Sequence, residues 1–182
     1  FIDISEPFKG LFTQGMVTHK TFKNTKDEWV PPDNIIKKGS LYFDKKLKKV
    51  NVGKVEKMSK SKKNVIDPSN IINTYGADTA RWFMLSDSPP DRDLEWTDTG
   101  AEGSYKLINK IWDLTSQAIE KKDLMQKNNM DYLLYEKIED TIFEVTTNIE
   151  NFHYNKAVAN IYSVVNLIQK NLVGNLVSKQ CI

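Results

Sequence analysis

The sequence predicts an α/β unit followed by an all-α unit, and three observations carry that expectation. Short apolar runs separated by turn residues fill the first third of the chain. Helix caps appear only after residue 66, and from Thr97 onward apolar residues recur at helical spacing. The 182 residues, 40% hydrophobic and 27% charged, have the composition of a soluble globular protein of one or two domains that can bury a core.

Taken in order, a turn-rich start at Glu6 leads into Leu11-Phe12-Thr13-Gln14-Gly15-Met16-Val17, which reads as a buried strand, although a helix has the same apolar density. Trp29-Val30-Pro31-Pro32 ends that element, because paired prolines withdraw donors and drive the residue before them to extended geometry. Leu41 to Phe43 and Lys49 to Val55 read as short strands around the lysine-rich turn Asp44 to Lys48. Asp67 then offers an N-cap with Pro68 at the first helical position, and Gly76 closes a helix over Pro68 to Tyr75. A second helix, from about Asp78 to Ser86, is expected to bury Ala80, Phe83 and Met84 and to stop before Pro89-Pro90; Asp87 to Trp96 is an irregular link. Three apolar stripes follow: Tyr105, Ile108, Ile111, Trp112 and Ile119; then Leu133 or Leu134, Ile138, Ile142, Val145 and Ile149; then Val158, Ile161, Val165, Ile168 and Leu172. They predict an antiparallel helical bundle over residues 97–182, with a polar link at Glu120 to Asn129, set apart from residues 1–96.

Several function classes fall away on composition. Cys181 is the sole cysteine, so the chain can form neither an internal disulfide nor a cysteine-based zinc site, and a reducing, cytoplasmic setting fits. No run reaches the roughly 18 apolar residues of a membrane span, and the start lacks the order of a signal peptide. Phe1 and Ile182 both read as cuts, so a segment of a longer protein is expected. No Gly-x4-Gly-Lys-Ser/Thr string occurs, which excludes a P-loop.

Net charge is +2, but residues Lys37 to Lys63 hold eleven lysines against Asp44 and Glu56. That block suits a polyanion such as nucleotide or RNA phosphate. All basic residues except Arg81 and Arg92 are lysine, so a solvated surface of a lysine-rich proteome accounts for it equally well.

One string decides between these readings. Lys57-Met58-Ser59-Lys60-Ser61, continued by Lys62-Lys63-Asn64-Val65-Ile66-Asp67-Pro68, is expected by chance in on the order of a few in ten thousand chains of this length. It resembles the signature loop of the class I aminoacyl-tRNA synthetases, and Tyr75-Gly76-Ala77-Asp78-Thr79-Ala80-Arg81 continues the likeness. The resemblance implies the C-terminal part of a Rossmann-like catalytic core, then a truncated bundle like an anticodon-binding domain. It also implies ATP with Mg²⁺ as cofactors. Lys60 is then the principal ATP-phosphate residue and Lys57 its catalytic assistant, with Met58 near the adenosine through its backbone and Ser59 and Ser61 beside them. Transfer of a nucleotidyl group leaves growing charge on pyrophosphate, which two lysines on a mobile loop can meet.

Glu6 to Val17 and Ser86 to Trp96 resemble the leucyl members of that family, and Lys62-Lys63-Asn64 differs from the Leu-Gly-Asn usual in isoleucyl and valyl relatives. Phe152-His153-Tyr154-Asn155-Lys156-Ala157 extends the likeness more weakly. The partners implied are leucine, ATP and tRNA(Leu), with a monomeric parent and no membrane. Residues from about Lys26 to Glu56 resemble a short form of an insertion that leucyl enzymes carry before the loop. The partner motif His-x-Gly-His is not in this chain, whose histidines are His19 and His153, so the isolated chain is expected to be inactive. His19 reads as a structural side chain near a sheet edge, Arg81 as a brace at the junction, and Trp29, Trp82, Trp96 and Trp112 as core residues before base-stacking ones. Two alternatives remain at this point: a non-enzymatic RNA-binding or scaffolding module, and a segment of isoleucyl or valyl type.

Overall fold

The computed structural model describes residues 5–121 and 132–173, with the side chains of 121, 172 and 173 left aside. The expected link from Glu120 to Asn129 therefore falls mostly outside the described residues, as do the side chain of Leu172 and all of Cys181.

A mixed sheet of five strands comes first: β1 (Val17–Lys23), β2 (Ile35–Lys38), β3 (Leu41–Asp44), β4 (Lys49–Lys57) and β5 (Leu94–Glu95), in the order β2-β3-β4-β1-β5. All pairs are antiparallel except β1 with β5, which is parallel. The Asp44 to Lys48 turn is tight because Asp44 Oδ1 accepts from the amides of Lys46 at 2.9 Å and Lys48 at 2.8 Å. Between β4 and β5 lie α1 (Pro68–Tyr75) and α2 (Ala77–Ser86). Asp67 Oδ1 caps α1 through the Ser69 amide at 2.8 Å, and Gly76, at φ 86°, donates to Ile72 O at 2.9 Å.

The first strand is shorter than its apolar run suggests. Leu11 is 90% exposed and Phe12 and Met16 are also exposed; pairing begins only at Val17 with Leu94. The reason is Gly15, whose amide donates to Pro90 O at 2.8 Å. A Cβ there would lie 1.9 Å from Arg92 O, so this close crossing of two backbones replaces regular ladder pairing. The Met16 amide continues it by donating to Asp93 Oδ1 at 2.8 Å.

Helices α3 (Asp98–Lys121), α4 (Tyr132–Glu150) and α5 (Tyr154–Val173) follow, the last two joined by a three-residue turn into a packed helical hairpin. The faces they bury match the expected stripes at Ile111, Leu134 and Ile138, which pack into one core cluster, and differ elsewhere. In α3 the buried positions are Ala101, Ser104, Leu107, Leu114 and Ala118, while Trp112 is 74% exposed and Ile119 and Tyr105 face outward. In α4 Leu134 and Thr141 are buried, whereas Ile142 and Ile149 are exposed. Small residues let helices approach closely, and Thr141 satisfies its hydroxyl on Lys137 O at 2.7 Å, so size and satisfied polarity placed the seam where apolarity alone did not. Over its described side chains the α5 stripe holds, with Val158 and Val165 buried and Ile161 and Ile168 half-buried.

Two apolar clusters result. One gathers Phe83, Leu94, Trp96 and Ala101, with Val17, Met58 and Ile66 against it; the other gathers Leu107, Leu114, Ala118, Leu134 and Val165. Neighbouring Trp82 and Phe83 of α2 serve the two clusters separately, so α2 belongs to both. Phe83 is buried as expected, while Ala80 and Met84 are half-buried. Trp96 and Trp82 behave as core residues; Trp112 does not, and Trp29 is half-buried beneath the Lys23 ammonium, 4.5 Å from its ring. Arg81 does not brace the junction among the described residues: it is exposed and pairs with Asp78 on its own helix, at 3.3 Å.

Candidate functional site

The lysine-bearing string occupies the end of β4 and the turn after it. Lys57 is the last residue of β4 and exposed; the Met58 amide donates to Val17 O at 3.2 Å, and its side chain enters the Phe83 cluster. From there the chain folds into a tight turn. Ser59 and Ser61 hydroxyls lie 2.7 Å apart, and the Lys63 amide donates to Lys60 O at 3.2 Å with Lys63 at φ 51°. Lys60, Ser61 and Lys63 are exposed. Lys62 pairs with Glu56, whereas among the described residues Lys57, Lys60 and Lys63 enter no ion pair. The turn thus presents three uncompensated ammonium groups, which an anion can approach without displacing a carboxylate.

The base of the turn is held by Asn64, 1% exposed. Its Oδ1 accepts from the Ser59 amide at 2.8 Å, and its Nδ2 donates toward the carbonyls of His19 and Glu56, both at 3.2 Å, and of Lys57 at 3.3 Å. Neither Asn64 nor Glu56 carries a structural role that is legible in the sequence. The available signal was a lone amide between two lysines and the apolar pair Val65-Ile66, a residue type that both donates and accepts.

Two separated stretches meet beside the turn. The Leu94 amide donates to Met16 O and the Trp96 amide to Thr18 O, both at 2.9 Å, while Thr18 Oγ1 donates to Leu94 O at 3.0 Å. Gly15 to Thr18 and Pro90 to Trp96 are therefore one structural unit. Phe12 also stacks on Phe152 of the α4–α5 turn, with ring centroids 4.7 Å apart.

His19, Lys20, Tyr42, Asn70, Tyr75, Glu95 and Asp98 help line a cleft of about 570 Å³. Burial lowers the His19 pKa from its ordinary value; its Nδ1 contact with Lys20 O at 2.9 Å and the Asp98 and Glu95 carboxylates pull the other way. His19 is half-buried in the sheet, and its backbone, through Asn64, touches the turn.

Residues 48–97 match the family model described as tRNA synthetases class I (I, L, M and V). The leucine–tRNA ligase of Zymomonas mobilis is 46% identical over 170 residues, covering 93% of this chain and 20% of that protein. That of Rhizorhabdus wittichii is 44% identical over 176 residues, covering 93% and 19%. A crystal structure of the Agrobacterium radiobacter K84 agnB2 LeuRS, in ternary complex as LeuRS-tRNA-LeuAMS, superposes with a TM-score of 0.68 at 23% identity, over 98% of this chain and 19% of that one, a likeness of fold. Over nearly its whole length the chain matches a segment of the leucine–tRNA ligases, which are class I aminoacyl-tRNA synthetases. It spans about one fifth of the length of these relatives.

Among the described residues no helix is long and apolar enough to cross a membrane, and no three His, Cys, Asp or Glu side chains converge as a metal site.

Proposed function

We propose that this chain is the segment of a leucine–tRNA ligase that closes on the phosphates of ATP and begins the helical region that meets tRNA(Leu), in a cytoplasmic enzyme. The single observation that carries the reading is the turn at the end of β4, which keeps Lys57 and Lys60 exposed and unpaired above a base tied to the sheet. In the parent reaction a leucine carboxylate oxygen attacks the α-phosphorus of ATP, the bond to the bridging oxygen breaks, and pyrophosphate leaves with that electron pair. Lys60 meets the β,γ-phosphate oxygens as they gain charge, Lys57 assists from the strand end, and Ser59 and Ser61 offer neutral donors. Met58 lies against the adenosine; since its own amide already bonds Val17 O, its carbonyl is the group left to serve there. Mg²⁺ would accompany ATP and offset part of its phosphate charge. Leucine then passes from the adenylate to the terminal adenosine of tRNA, releasing AMP. We read the boundary between catalytic core and bundle at Thr97, where the N-cap of α3 begins.

Lys60→Ala in the intact enzyme tests this. Because pyrophosphate gains its charge as the bond breaks, the lysine acts on the transition state more than on bound ATP. Adenylation should slow roughly a hundredfold, about 3 kcal/mol, with leucine affinity unchanged. Transfer from preformed leucyl-adenylate should be unaffected. Equal losses in both steps, or none in adenylation, would refute the assignment.

A further inference from the structure

Asn64 sits where an enzyme with a mobile loop needs a fixed point. It is almost fully buried, yet its carboxamide is engaged at both ends: Oδ1 on the Ser59 amide, and Nδ2 among the carbonyls of His19 in β1 and of Glu56 and Lys57 in β4. Four backbone groups from two strands and the turn thus converge on one side chain. The Met58 amide on Val17 O and the Lys62–Glu56 ion pair tie the same base. Beyond it, Lys60, Ser61 and Lys63 stand in solvent. The turn therefore has a foot tied to the sheet, to which Lys62 reaches back, and an exposed tip carrying Lys60.

The amide is also the side chain this place requires. Two N–H donors and one carbonyl oxygen satisfy buried groups of both kinds while adding no charge. An aspartate is nearly the same shape, but its ionised form has no proton for three carbonyl oxygens and would set a buried negative charge among them. It would also offer a carboxylate below Lys57 and Lys60, which pair with none among the described residues.

We propose that Asn64 is a positioning residue for adenylate formation: it holds the foot of the turn so that closure moves only the tip, and Lys57 and Lys60 meet the leaving pyrophosphate from one defined stance. This rests on the reading of the turn as the ATP-phosphate loop. Asn64 touches no substrate; it acts through the backbone of Lys57 and Ser59.

The test uses the intact enzyme, with adenylation and transfer measured separately in single turnovers. Asn64→Ala should lower the adenylation rate constant by roughly thirtyfold to a hundredfold, with the ATP dissociation constant within about threefold and transfer unchanged. Asn64→Asp should be slower still near pH 8 and should regain about tenfold, relative to the parent enzyme, near pH 6, where the buried carboxyl takes up a proton and becomes a donor. A residue that merely fills space would give no such recovery. Hydrogen exchange should lose protection in peptides around Ser59 in both variants while β1 at Phe22 keeps it. Should Asn64→Ala not fold, the pH response of Asn64→Asp decides alone. Adenylation within about threefold of the parent in Asn64→Ala, parallel losses in both steps, or an Asn64→Asp variant without recovery would overturn the proposal. If Lys60→Ala adenylates normally, the loop reading itself fails; if Lys60→Ala is slow while Asn64→Ala is not, only the positioning role fails.

Discussion

Gly100→Ala is a small change whose cost follows from the geometry of one contact. Gly100 lies in the first turn of α3, where its amide donates to the capping Thr97 Oγ1 at 3.2 Å. A Cβ there would stand 2.3 Å from Phe83 Cε2 and 2.9 Å from both Phe83 Cδ2 and Thr97 Oγ1. Phe83 is 1% exposed and set edge-on against Trp96, with ring centroids 4.8 Å apart, so the ring cannot swing away without disturbing that packing. Ala gains up to about 1 kcal/mol over Gly from helix propensity, less in a first turn. Overpacking costs about 1–3 kcal/mol. A net loss of about 1–2 kcal/mol follows, which in a chain of this size lowers Tm by about 2–8 °C. Thermal unfolding followed by far-UV circular dichroism and tryptophan fluorescence reads it. Phe83→Leu removes the ring atoms that the new methyl meets, so Gly100→Ala should cost about 1 kcal/mol less in that background. An unchanged or raised Tm for Gly100→Ala, or strict additivity with Phe83→Leu, would refute the reasoning.

Two other outcomes are expected. Lys63 holds φ 51°, a left-handed conformation that costs about 1 kcal/mol or more without glycine, so Lys63→Gly should raise Tm by about 2–4 °C and Lys63→Val should lower it, in the same melting experiment. His19 is held neutral by burial, so its folded pKa lies below the ordinary 6.5. The unfolded chain then takes up the proton first. Stability is whole above about pH 6.5 and is lost as pH falls through that value; His19→Gln should flatten the fall in Tm between about pH 7 and pH 5.5, and an equally steep fall in the variant would count against it.

What the sequence determined by itself was whatever depends on neighbours along the chain. Asp67, Pro68 and Gly76 bracket α1 where caps belong, Asp44 closes its own turn, and Lys57 to Ser61 declare their chemistry as a contiguous string. Tertiary structure decided the rest. Leu11 to Met16 had the composition of a strand, but the backbone crossing at Gly15 and Arg92 displaced pairing to Val17. Trp112 and Ile119 had the right spacing for a core stripe, yet α3 turned its small residues Ala101, Ser104 and Ala118 inward, because close helix approach depends on the size of both partners and one strand of sequence shows only one. Asn64 looked like a tail to the lysine string and is its foundation: the carbonyl of His19 lies 45 residues away, and only the pairing of β1 with β4 brings donor and acceptors to one point. Local propensity is written in short range, whereas buried polar satisfaction is a sum over segments that the chain must first bring together.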